Sequence, residues 1–172
     1  MTTLRYSTAP LKRRLAALLY ELLLVAAVSA AAAIPAGITA MLLNRFSPRA
    51  ATLAVSLMLM FAWWLYFRSN WLKKGQTLPM RVWKIGLANQ HGSRPAARQL
   101  GLRFMWACVF LVLIPLLAYA ALHHNGIPPR SAFGASLCWW ILPWGYALLN
   151  QDGQFLYDIL AGTRLVDLLQ KQ

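Results

Sequence analysis

Acidic side chains are nearly missing: the 172-residue chain holds only Glu21, Asp152, Asp158 and Asp167, against 17 Lys and Arg. So few carboxylates give no paired-acid spacing, and no HExxH motif occurs. Cysteine is almost as scarce. Cys108 and Cys138 fall in separate apolar runs without a CxxC or CxxH neighbour, which leaves no ligand set and no redox motif. His123 and His124 are adjacent, so on a helix they project about 100° apart, and no carboxylate or cysteine stands near them. Ser29 and Ser56 lack a sequence-evident His or Lys partner. The expectation is a protein that is not an enzyme, with no catalytic residues, metal site or cofactor. The basic excess does not point to nucleic acid either, because the charges crowd beside apolar stretches and form no groove-reading motif.

What is present is apolar. Hydrophobic residues make up 59% of the chain and charged ones 12%, with a mean hydropathy of +0.50, whereas soluble domains carry about 25% charged residues. Four long apolar runs cover 15–43, 50–67, 104–122 and 133–149, each long enough or nearly so to cross about 30 Å of hydrocarbon. The predicted fold is an all-α integral membrane helical bundle of four transmembrane helices, one domain over 1–172. A loop at 68–103 and a tail at 150–172 complete it. A secretory signal is the rival reading of the first run, but Glu21 interrupts it and the apolar stretch continues past Ala30.

Glu21 is the one carboxylate in an apolar run. A carboxylate at a helix centre costs on the order of 3 kcal/mol on insertion scales, so it needs partners inside the protein. Arg14 precedes it by seven residues, close to two turns and roughly 10 Å along the axis, with Ala17 leaving a slot between them. Thr8 and Pro10 are expected to start this helix, and Pro35 with Gly37 to bend its far end. Ala32, Ala36 and Ala40 form a small-residue face that lets another helix approach. The second run ends in Trp63, Trp64, Tyr66 and Trp71, then Arg68, Lys73 and Lys74, the aromatic belt and basic flank of a membrane interface.

Within the loop, 82–88 suits a short strand or β hairpin, and Pro95 opens an interfacial helix with Ala97, Leu100 and Phe104 at helical spacing. This leaves Arg94, Arg98 and Arg103, with Lys73, Lys74 and Arg81, to meet anionic lipid headgroups. The third run kinks near Pro115, and the fourth, broken by Pro143, is short enough to be tilted or partly re-entrant. In the tail, Asp152 is placed to cap a short helix that Gly162 stops, and 163–166 suits a strand. Spacing alone leaves Asp158 open to being a solvated surface acid. With the N-terminus inside, 14 cations fall on the cytoplasmic side, against Arg45, Arg49 and Arg130 outside. Both termini are therefore expected in the cytoplasm.

Three segments resemble the RDD family of bacterial membrane proteins, named for an arginine and two aspartates. Arg13-Arg14-Leu15-Ala16-Ala17-Leu18-Leu19-Tyr20-Glu21 is similar to the family's arginine at the start of helix one with an acid further along. Gly75-Gln76-Thr77-Leu78-Pro79-Met80-Arg81 resembles its GQTLGKR segment, and 154–166 resembles its closing QFLHDRLAGTRLV pattern. Glu21 stands where the family usually has aspartate, Pro79-Met80 replace Gly-Lys, and Tyr157 replaces histidine. The resemblance implies a multi-pass protein of the bacterial inner membrane whose charged constellation is Arg14, Glu21 and Asp158, with ion transport proposed for some members. The expected activity is assistance to ion or proton-coupled transport. Glu21 would be the exchanging group, its partner an inorganic cation or proton. The spans offer few other polar groups, so a homo-oligomer is the expected transporting form. The alternative is a structural or assembly partner in the membrane, without transport.

Overall fold

The computed structural model describes residues 6–150 and 153–171, with only the backbone described at positions 6, 170 and 171. The chain is an all-α membrane protein with a minor sheet, 75% helical. Among the described residues, four helices are long and apolar enough to cross a membrane. The chain divides into two compact units, Lys12–Trp83 and Met1–Leu11 with Lys84–Gln172.

The first unit is a helical hairpin. Its first arm belongs to α1 (Leu11–Asn44), which continues through Pro35. The second arm, α2 (Pro48–Lys74), starts where Ser47 in extended conformation accepts the Ala50 N–H, with Pro48 in the first turn, where its missing donor costs nothing. It ends at Gly75, whose φ of 66° suits glycine and lets its N–H reach the Trp71 carbonyl at 2.9 Å. The helix therefore runs seven residues beyond the expected end at 67. Ala17, Ala36 and Ala51 are buried where small side chains permit close approach. Trp63 donates its indole N–H to Ser29 Oγ at 2.9 Å, joining α1 to α2. A short helix, α3 (Leu78–Val82), follows, capped by Thr77.

The second unit is built on a three-stranded antiparallel sheet with β3 (Thr163–Lys171) between β1 (Tyr6–Thr8) and β2 (Ile85–Asn89). Of the two alternatives for 82–88 the short strand is the one found, and one expectation, for Thr8, is corrected. The strand pairs with β3 in the register Leu87↔Leu165, not with a local hairpin partner. Thr8 lies in β1 and does not cap α1, because the backbone stays tied to β3 as far as the Ala9 N–H, which donates to the Leu165 carbonyl at 3.3 Å. Gly86 is packed so closely that a Cβ there would meet Leu168 Cδ2 at 2.9 Å.

Two broken helices complete this unit. The interfacial helix expected from Pro95 is not separate from the third span. Helix α4 (Ala97–Cys108) passes through a π-helical turn at Val109–Leu113 directly into α5 (Ile114–His124). Its polar first turns continue the helix because Gln99 and Arg103 find partners within the protein. The last span is α6 (Pro129–Leu137), a 3-10 turn at Cys138–Trp140 and α7 (Ile141–Leu149), 21 residues in all. Pro115 has no N–H to give to the carbonyl four residues back, at Leu111. Trp140 supplies the missing donor, its Nε1 lying 2.9 Å from the Leu111 oxygen. Beyond residues 151 and 152, helix α8 (Leu156–Leu160) begins from Phe155. The cap expected from Asp152 lies outside the described residues.

Candidate functional site

In the hairpin unit the acid of α1 has two hydroxyl partners. Tyr66 on α2 donates to Glu21 Oε1 at 2.6 Å, and Thr77 donates to Oε2 at 2.5 Å. Thr77 is fully buried and serves a second purpose, because its Oγ1 is 3.5 Å from the Met80 N–H in the first turn of α3. The Thr77 N–H in turn points to Met80 Sδ at 3.5 Å. Arg14 lies two turns before Glu21 on α1 and is 4% exposed, with Ala17 buried between them. Of the guanidinium and carboxylate expected on one face of the first span, Arg14 is buried and Glu21 is half-buried, held by hydroxyls of its own unit. Sequence reasoning placed Tyr66 in the aromatic belt and assigned Thr77 no partner, and missed that both turn their hydroxyls to Glu21. The available signal was Thr77, which sits inside the second matched segment.

In the sheet unit Asp158 on α8 is fully buried and pairs through Oδ1 with Nη1 of Arg103, itself 5% exposed. Arg103 Nη1 also donates to Thr163 Oγ1 at 3.3 Å, and its guanidinium lies 5.3 Å from the centre of the Tyr157 ring. Thr163 donates to the Asp158 carbonyl at 3.2 Å. These contacts correct the expectation that Arg103 faces lipid: a guanidinium with a buried carboxylate beside it has its charge answered inside the protein. It lies three residues beyond buried Leu100, on the same helix face, which was the overlooked signal. Lys73, Lys74, Arg81, Arg94 and Arg98 are exposed.

The rest of the closing segment locks β3. Gln154 accepts the Leu165 N–H at 2.9 Å and sends its own Nε2 to the Leu165 carbonyl at 3.4 Å, so its side-chain amide pairs with the start of the central strand as a backbone would. Gly162, at φ 65°, offers its carbonyl to Gln99 Nε2 at 3.1 Å. The three recognisable segments thus contribute to both units. The first and second meet at Glu21 in one unit, and the third surrounds Asp158 in the other. Each acid has its own partners within its unit.

A multi-pass membrane protein with one hydrogen-bonded carboxylate in its first span and a closed ion pair beside its sheet is the class these features define. The chain belongs to the RDD family, whose family model matches residues 8–162 and so spans both units. Neither a curated protein nor a solved structure matches it.

Proposed function

We propose that this protein assists ion or proton-coupled transport across the bacterial inner membrane, with Glu21 as the exchanging group. The observation that carries the reading is the pair of hydroxyls on its carboxylate, from Tyr66 and Thr77. A hydroxyl is both donor and acceptor. It donates to an ionised carboxylate, and its lone pairs can turn to a proton or small cation that arrives there. Arg14, on the same helix, biases the charge state of the acid.

The working form is a homo-oligomer. Three other span hydroxyls are engaged with their own helices: Ser56 with the Thr52 carbonyl at 2.9 Å, Thr52 with Pro48 at 3.0 Å and Ser136 with Phe133 at 2.7 Å. A single chain thus offers little else to line a path, whereas copies arranged about an axis would repeat Glu21 around it. Both termini lie in the cytoplasm, and exposed Lys73, Lys74, Arg81, Arg94 and Arg98 meet anionic headgroups there. The protein performs no bond-breaking chemistry and binds no nucleic acid.

Flux of protons and sodium in proteoliposomes, with wild type and Glu21→Gln compared, tests the proposal. Wild type should carry a flux that Glu21→Gln loses. Equal ion permeability of both preparations and of empty vesicles would favour the structural or assembly role instead.

A further inference from the structure

The hydroxyl that reaches Glu21 also begins a helix. Thr77 Oγ1 donates to Glu21 Oε2 at 2.5 Å while accepting from the Met80 N–H at 3.5 Å, and α3 starts at the next residue. The Arg81 N–H goes back to the Thr77 carbonyl at 3.0 Å, so the same residue holds the first turn through side chain and backbone. After α3, the Trp83 carbonyl accepts from Arg13 Nη1 at 3.3 Å. The short helix is therefore pinned at one end to the acid of the span and at the other to the start of the same span.

We propose that Thr77 couples occupancy of Glu21 to the state of α3, so that taking up a proton or cation loosens the helix at the end of the span. This rests on the reading that Glu21 takes up an ion. With Glu21 ionised, the Thr77 hydroxyl has a charged acceptor for its only proton and lone pairs for Met80. A proton on either carboxylate oxygen removes the charge that makes this bond strong, since charge-assisted bonds are about twice as strong as neutral ones. If the proton sits on Oε2, that oxygen becomes the donor, and the buried Thr77 proton loses its acceptor. A cation on Oε2 instead draws the Thr77 lone pairs away from Met80. Each route weakens the attachment of α3. The titratable and charged groups around the acid in this unit are Arg14 and Tyr20 on α1 and Tyr66 on α2, and α3 contributes Arg81, which is exposed.

Hydrogen exchange of peptides covering 78–83, measured in nanodiscs and normalised to the unfolded chain at each pH, tests the coupling. In wild type, exchange should become about five-fold faster between mildly basic and mildly acidic buffer, the effect of losing the charge on the acceptor. Glu21→Gln, which carries a neutral side chain of similar shape, should exchange fast at both. Thr77→Ser keeps the hydroxyl and should keep the pH response, whereas Thr77→Val should lose it whatever its basal rate. A pH response that persists in Glu21→Gln, or none in folded wild type and Thr77→Ser, overturns the coupling. Flux measured on the same preparations separates the two claims. Glu21-dependent flux with an unresponsive α3 rejects the coupling alone, and a responsive α3 without flux rejects transport alone.

Discussion

At the scale of single residues, Arg103 and Asp158 carry the largest stake. Two charges taken out of water attract strongly but lose their hydration, so removing one partner costs far more than the pair contributes. Asp158→Ala, or Arg103→Met alone, should destabilise the detergent-solubilised protein by about 3–5 kcal/mol in denaturant titrations. Replacing both together, as Arg103→Met with Asp158→Leu, should restore most of that loss. Additive costs in the double variant would show that the two side chains act separately. Glu21 is a different case, because Gln retains a hydrogen-bonding group for Tyr66 and Thr77. Arg14→Ala should accordingly cost more than Glu21→Gln in the same titration, since it leaves a span carboxylate without its nearby arginine.

Among the elements, the two broken spans of the sheet unit depend on one another. The π-helical turn at Val109–Leu113 and the 3-10 turn at Cys138–Trp140 are joined by the Trp140 indole, which serves the carbonyl that Pro115 leaves without a donor. Trp140→Phe keeps the ring and removes the N–H, so it should cost about 1–3 kcal/mol, the penalty for an orphaned carbonyl. Pro115→Ala returns a backbone N–H to the helix. In that background Trp140→Phe should be nearly neutral, and a double-mutant cycle should show coupling of at least about 0.5 kcal/mol. Equal costs in both backgrounds would mean that the indole does not stand in for the missing donor.

For the whole molecule, the proposed orientation puts both ends in the cytoplasm, the side that the 14 to 3 distribution of Lys and Arg favours when all four candidate spans cross. Reporter fusions check this. A fusion at Gln172 should report from the cytoplasm and one within 123–131 from the periplasm, and either signal on the opposite side refutes the orientation. The basic residues that remain exposed should each contribute about 1 kcal/mol near an anionic surface. Reversing the charge of Lys73, Lys74 and Arg81 together should therefore reduce the extra stability gained in anionic over neutral lipid. An undiminished gain would exclude headgroup contact there.

The apolar runs by themselves determined that this is a membrane protein with four spans. Lipid imposes that requirement on each run locally, whatever its neighbours are. The lone acid in the first span, the strand that begins at Thr163 and the three family segments were legible for the same reason, since charge, strand pattern and motif are local. Partner choice was not. Glu21 and Thr77 are 56 residues apart, and nothing in spacing along the chain assigns that hydroxyl to that oxygen. Arg103 looked like its neighbours Arg94 and Arg98 because a cation at the edge of a span satisfies hydropathy equally well facing lipid phosphate or a buried carboxylate. Only the fold, by bringing α8 and β3 against α4, put Asp158 and Thr163 beside its guanidinium and decided which of the two it meets.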